Sequence, residues 1–385
     1  MSQQTPEKKP HWNAVFAVSL CASSLIMGEF LPASLITPMA KELLITNGTA
    51  GQAISVTAFI ALFSSLFISI LTKGIDRRWV LIFFAILQII SNFFVAFAPN
   101  FIILMMGRVI LGIGIGGFWS MSASIAMRLV PEKQVPKALS IILGAVSVAT
   151  VVAAPLGSYL GSLIGWRNVF LVAAALGILA FIWQILSLPS MPAGKPSQLS
   201  TLVEVLKHPN IPMGMFSVFF VFAGNSLIFS YLRPFLETIT HINDPHTLSL
   251  ILLGFGLGNF IGTSLAGYPL EKNLKVSIIS TQFLMCLSAA ALVFLGRDTL
   301  WASLLITLFG FGFGIVVVGW STWLTRTVPD KAESGGGILV ATIQLAITLG
   351  AAFGGFVLDH TGAIGVFILS SLFLLGSTLT ARFTN

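Results

Sequence analysis

Arg128-Leu-Val-Pro-Glu-Lys133 closes one long apolar segment, and Arg326-Thr-Val-Pro-Asp-Lys331 closes another 198 residues later. Gly112, Gly114 and Gly116 recur at the same offset as Gly310, Gly312 and Gly314. Asp76-Arg77 is matched by Glu271-Lys272 at an offset of 195. Each match holds the same place in its half, so the sequence reads as a duplication. The longest polar stretch, 187–212, opens with Pro189, Pro192, Gly194 and Pro196 and divides the chain nearly in half. This gives an N-terminal unit over 1–187, a linker over 188–211 and a C-terminal unit over 212–385.

Composition says what each half is made of. The chain has 385 residues, 56% of them hydrophobic and 9% charged, with mean hydropathy +0.96. Soluble domains carry about 25% charged residues. Apolar runs of about 20 residues, the length of one bilayer crossing, fall at 14–36, 50–72, 79–98, 101–127, 138–162, 167–187, 212–234, 248–270, 275–295, 300–324, 335–358 and 364–381. The reading is an all-α membrane protein with twelve transmembrane helices in two pseudo-symmetric six-helix bundles. In parallel six-span repeats, a solute site lies near the bilayer midplane between the bundles.

The charges orient the spans. Fifteen of the twenty Lys and Arg residues fall in loops on the side of the N-terminus, four fall on the other side, and Arg108 lies within a span. The positive-inside rule then places both termini in the cytoplasm. The run from Ala14 is too long for the 7–15-residue core of a signal peptide and reads as a first span. Net charge +7 does not imply nucleic acid, because the basic residues are scattered over many loops rather than clustered on one face. Cys21 and Cys286 lie in apolar runs and form neither a disulfide framework nor a metal motif. His241, Asp244 and His246 share a loop but have no further ligand nearby, so neither metal nor cofactor is expected. Gly112-Ile-Gly-Ile-Gly-Gly117 fits a dinucleotide pattern only in letters. It lies inside an apolar span with no preceding strand, and close helix packing accounts for it.

Within the spans, Glu29 is the lone carboxylate. An ionised acid in hydrocarbon is costly and marks a functional site by default. Glu29 reads either as a reversible proton carrier or as a permanent partner of Arg108, which lies at a similar depth. Arg108 stays charged and reads either as part of that coupling or as a donor to backbone carbonyls of bent neighbours. Asp76, Arg77, Glu271 and Lys272, repeated in the two halves, read as gating residues or as solvated loop charges. Polar and aromatic residues in spans are candidates to line the central site: Gln52, Thr57, Trp119, Ser122, Asn225, Tyr231, Trp320, Gln344 and Thr348. Of these, Asn225 and Gln344 stand out, because a buried amide must find partners.

Leu104-Met-Met-Gly-Arg108-Val-Ile-Leu-Gly112-Ile-Gly114 resembles the span-four motif of the major facilitator superfamily, in its twelve-span drug:proton antiporter branch. Pro155-Leu-Gly157-Ser-Tyr-Leu-Gly161, followed by Gly165-Trp-Arg-Asn-Val-Phe170, resembles that branch's antiporter motif. Tyr231-Leu-Arg-Pro234 resembles the sugar-efflux-like subgroup. Glu29-Phe-Leu-Pro32, Gly117-Phe-Trp-Ser-Met-Ser-Ala-Ser124 and Val318-Gly-Trp-Ser-Thr-Trp-Leu-Thr-Arg326 resemble bacterial purine-ribonucleoside efflux pumps. The sequence departs from the family pattern at Thr72, where a glycine is usual, and at Ala154 and Ser158 in span five. The resemblance implies the major facilitator fold and a monomer in the bacterial cytoplasmic membrane. It implies proton-coupled export of a small organic solute, most sharply a purine ribonucleoside. Rivals are a broader drug or sugar exporter and a non-transporting sensor. An enzyme or an ATP-driven pump is not expected, because no catalytic cluster and no phosphate-binding loop is present.

Overall fold

The computed structural model describes residues 10–72, 74–131, 134–192, 204–328 and 332–384. The helices in the first half are α1 (Trp12–Leu43), α2 (Asn47–Leu71), α3 (Arg77–Ala96), α4 (Phe101–Leu129), α5 (Val135–Ile164) and α6 (Trp166–Ser187). The second half has α7 (Ile211–Thr238), α8 (Pro245–Leu265), the short α9 (Gly267–Lys272), α10 (Leu274–Leu295), α11 (Thr299–Thr327) and α12 (Ala332–Ala381). Eleven helices among the described residues are long and apolar enough to cross a membrane. The last of them crosses twice. As a straight rod its 50 residues would measure about 75 Å, more than double a bilayer core of about 30 Å. Gly362, at φ 74°, breaks it into 332–361 and 363–381, a conformation that glycine adopts without a Cβ penalty. Twelve crossings result, and the chain is a multi-pass membrane protein built of two six-helix halves.

The helix starts are set by short polar side chains. Asp76, Asn100, Asp244, Asn273 and Asp298 each accept a hydrogen bond from a first-turn amide of the helix that follows, satisfying donors that the helix leaves open. Gly165, at φ 82°, turns α5 into α6. Along α2, Phe59, Phe63 and Phe67 recur every four residues and are exposed, as a lipid-facing stripe requires.

Packing repeats between the halves. α2 lies on α4 and α3 on α4 and α6, as α8 lies on α11 and α10 on α11 and α12. α1 packs on α5 as α7 packs on α12. Across the middle, α2 meets α12, α5 meets α8 and α1 meets α7.

Candidate functional site

Prolines inside the central helices create the site's hydrogen-bond geometry. Pro32 in α1 has no N–H, so the Gly28 carbonyl four residues earlier loses its helical donor. The Arg108 Nη1 group donates to that carbonyl at 2.7 Å, Nη2 to the Glu29 carbonyl at 3.2 Å and Nε to the Ala53 carbonyl at 3.1 Å. Arg108 is fully buried, and it fastens α4 to α1 and α2 through main-chain oxygens. Pro38 repeats the device one step along: the Ser34 carbonyl, deprived of its donor, accepts from Arg233 of α7.

The arginine is therefore committed to backbone, and among the described residues no base lies within ion-pair distance of the Glu29 carboxylate. Glu29 is 7% exposed and lines a cavity of about 320 Å³ between the halves, within the size range of small-molecule sites. Six aromatic side chains stand on the cavity wall among the described residues. Phe30 and Phe229 meet edge to face across the halves at 5.1 Å, and Phe222 and Phe313 meet edge to face within the second half at 5.4 Å. Asn225, Asn259 and Gln344 add amides, and the buried Asn225 Oδ1 has no partner. A flat, edge-polar solute of small size suits such a wall: rings stack on phenyl faces while amides and a carboxylate take the edge donors and acceptors.

Of the candidate lining residues, Trp119, Asn225 and Gln344 face this cavity. The other six are engaged elsewhere. Gln52 donates to the Ala352 carbonyl at 3.3 Å and Thr57 to that of Ala53 at 2.9 Å. Ser122 and Thr348 bond back to their own helices. The buried Tyr231 donates to the Ala351 carbonyl at 2.6 Å, and the buried Trp320 packs against Trp323. Sequence reasoning missed the phenylalanines, Thr150 and Asn259. For Asn259 a signal existed, since it is a span amide like Asn225; among 32 phenylalanines nothing marked the cavity-facing few.

In α5, Pro155 is half-buried within the helix and Gly157 and Gly161 face α1. A Cβ on either glycine would come within 2.5 Å of Ser34 Oγ or Leu35 Cδ2, so the spacing of small residues lets α5 lie close on α1.

The loop acids divide. The Asp76 carboxylate accepts from the Arg78 amide at 2.8 Å, from the Met191 amide at 2.9 Å and from the Ser190 hydroxyl, tying 190–191 to the start of α3. Burial works against its ionisation but is outweighed by these three hydrogen bonds and the Arg78 charge, which hold the carboxyl below the usual range. Arg77 is buried and donates to Thr72 Oγ1 at 2.8 Å. Glu271 and Lys272 are exposed in α9, and Asn273 holds the capping station that Asp76 holds in the first half.

Above the cavity, at the end bearing the α1–α2 turn, five hydrogen bonds join the halves. Thr37 donates to Glu237 at 2.6 Å, Thr46 and the Gly48 amide donate to Asp359 at 2.7 and 3.1 Å, and the Gln52 and Arg233 contacts complete the seam. Arg233 also pairs with Glu237 at 2.8 Å.

The family model for the Major Facilitator Superfamily matches residues 18–339 and, in a second match, 215–384. The purine ribonucleoside efflux pump NepI of Salmonella enteritidis PT4 (strain P125109) is 47% identical over 371 residues, covering 96% of this chain and 93% of that one. The protein of that name from Salmonella typhi gives the same identity and coverage. Among solved structures, a bacterial homologue of the human lysosomal transporter Spinster, inward-facing and unoccupied, matches with a TM-score of 0.80 at 16% identity over 98% of both chains. A D-xylose-proton symporter matches with a TM-score of 0.78 at 14% identity, also over 98% of both. The twelve crossings, the duplicated packing and a family match across most of the sequence lead to one assignment: the chain belongs to the major facilitator superfamily of membrane transporters.

Proposed function

We propose that this chain is a proton-coupled exporter of purine ribonucleosides such as inosine or guanosine, acting as a monomer in the bacterial cytoplasmic membrane with both termini inside. The observation that carries the reading is Glu29. It is a carboxylate with no ion-pair partner among the described residues, on the wall of a cavity between the halves, in a chain 47% identical to proteins named for purine ribonucleoside efflux.

Coupling follows from one group serving two occupants. Ionised, Glu29 accepts hydrogen bonds from ribose hydroxyls or a purine N–H. Protonated, it loses most of that acceptor strength and its charge. A proton arriving from outside thus displaces the nucleoside outward, and its release inside readies the site for the next. Arg108, held by three carbonyls, keeps a fixed positive charge behind α1. The units 1–187 and 212–385 act as the rocking bodies, and 188–211 as their connection. With the termini inside, the five-bond seam is the outer gate. Asp76 and Arg77 anchor the inner end of the first half, and Glu271 and Lys272 belong to the corresponding loop of the second. Phe30, Phe229, Trp119, Asn225, Asn259 and Gln344 form the nucleoside site.

The test is exchange in proteoliposomes under an imposed pH gradient, with radiolabelled inosine, comparing wild type with Glu29→Gln. Gradient-driven inosine movement that Glu29→Gln abolishes supports both assignments. Persisting movement in Glu29→Gln removes Glu29 as the proton site. Absence of inosine movement beside proton flux evoked by another solute removes the purine assignment.

A further inference from the structure

A second cavity lies away from the central site, at the base of the second half. It measures about 490 Å³ and is bounded by the segment before α7, the first turn of α10, the last turn of α11 and the end of α12. His208, Lys275 and Arg326 reach it from three of these elements. Among the described residues none of the three has an ion-pair partner, and no carboxylate lines the cavity. Lys275 sits in the first turn of α10, where the helix dipole disfavours a cation. Two cations, Lys275 and Arg326, gathered with no carboxylate among the described lining residues make a site for an anion.

The duplication gives the comparison. Arg128 and Arg326 are repeat partners, 198 residues apart. Arg78 and Lys275 each stand two residues after the capping residue of their helix, Asp76 and Asn273. In the first half the chain fills the matching corner itself. Met191 is buried, its carbonyl accepts from the Arg77 amide at 2.9 Å, and Arg128 donates to the carbonyls of Met191 and Pro192. In the second half the corresponding corner is the 490 Å³ cavity. Trp323 on its wall is 5% exposed, and its indole N–H has no acceptor. A buried donor without a partner is costly, and an oxygen-rich ligand would remove that cost. Leu274, Ile278 and Ala381 give the rest of the wall an apolar character.

We propose that this cavity binds a phosphate group, carried by an anionic phospholipid whose headgroup meets Arg326 and Lys275 and whose glycerol backbone meets the apolar wall. Basic pockets between helix ends are suited to such headgroups. The inference is independent of which solute the transporter carries.

The test uses the full-length protein in phosphatidylcholine nanodiscs, with phosphatidylglycerol added in one arm and inorganic phosphate in solution in the other. Native mass spectrometry reads bound lipid, and the thermal unfolding midpoint reads stabilisation. Retained phosphatidylglycerol and a raised midpoint are expected. Arg326→Gln and Lys275→Gln should each weaken binding by about tenfold, the loss of one charge-assisted contact. Arg297→Gln, outside the cavity, should leave it unchanged. Each variant's unfolding in pure phosphatidylcholine checks its fold. Stabilisation by phosphate without lipid preference assigns the site to a free phosphate instead. Equal binding by wild type and both variants, or no binding of either probe, overturns the proposal.

Discussion

The carbonyl of Gly28 has no partner within its own helix, because the residue four positions on is Pro32, and Arg108 supplies the missing donor at 2.7 Å. This makes the proline and the arginine one device, and a double-mutant cycle can read it. Arg108→Ala leaves a buried carbonyl unpaired and a cavity behind, and should destabilise the protein by about 3 kcal/mol. With Pro32→Ala already present, the residue-32 amide can serve Gly28, and the same arginine change should cost less by about 1 kcal/mol. Thermal unfolding of the four proteins in one detergent measures both values; strict additivity would show that the two residues are independent. Glu29 and Arg108 were visible in the sequence as charges inside apolar runs. The sequence left Arg108 open between coupling to Glu29 and donation to carbonyls of bent neighbours, since carbonyls are groups that every residue possesses. Only the proline spacing signalled which carbonyls were free. Local partners divided the nine candidate lining residues: Gln52, Thr57, Ser122, Tyr231 and Thr348 bond to backbone and Trp320 packs on Trp323, leaving Trp119, Asn225 and Gln344 to the cavity.

At the scale of elements, Asp76 serves as both cap and tether, holding the start of α3 and residues 190–191 together. Its carboxyl is held below the usual range, so the sign is that of a group favoured when ionised. The stability it contributes is present above the unfolded-state value of about 3.9 and is lost as pH falls through the lower folded value. Over about pH 5 to 8 the tether does not titrate. Asp76→Asn keeps a competent cap but removes the charge and one acceptor. It should speed proteolytic cleavage between the halves severalfold while leaving the midpoint of the transport pH profile in place. A displaced midpoint would make Asp76 part of proton coupling. The apolar runs predicted twelve crossings because a bilayer demands their length. The short α9, the Gly362 break and the matching of Asp76 with Asn273 rather than Glu271 depend on backbone conformation and capping, which single residue types mark weakly.

For the whole molecule, the seam between the halves adds small, replaceable hydrogen bonds to apolar packing in which Ile36, Ala40 and Ala50 of the first half join the core of the second. Asp359 alone receives both Thr46 and the Gly48 amide, and a Cβ on Gly48 would come within 2.3 Å of the Gly355 carbonyl. Hydrogen bonds contribute about 0.5–1.5 kcal/mol each, so removing both acceptors with Asp359→Ala should move the equilibrium between the two access states by roughly tenfold. Gly48→Val should go further, because backbone cannot retreat from a methyl group without separating α2 from α12. Spin labels placed on these two helices at the seam, with a second pair at the opposite ends of the bundles, distinguish rocking from local fraying. Cys21 and Cys286 are both buried, which keeps background labelling low. Rocking lengthens the seam distance and shortens the opposite one together, in Asp359→Ala partially and in Gly48→Val nearly completely. Lengthening at the seam with the opposite distance unchanged would mean that the two halves do not move as bodies and that access alternates by bending of single helices at Pro32, Pro155 and Pro234.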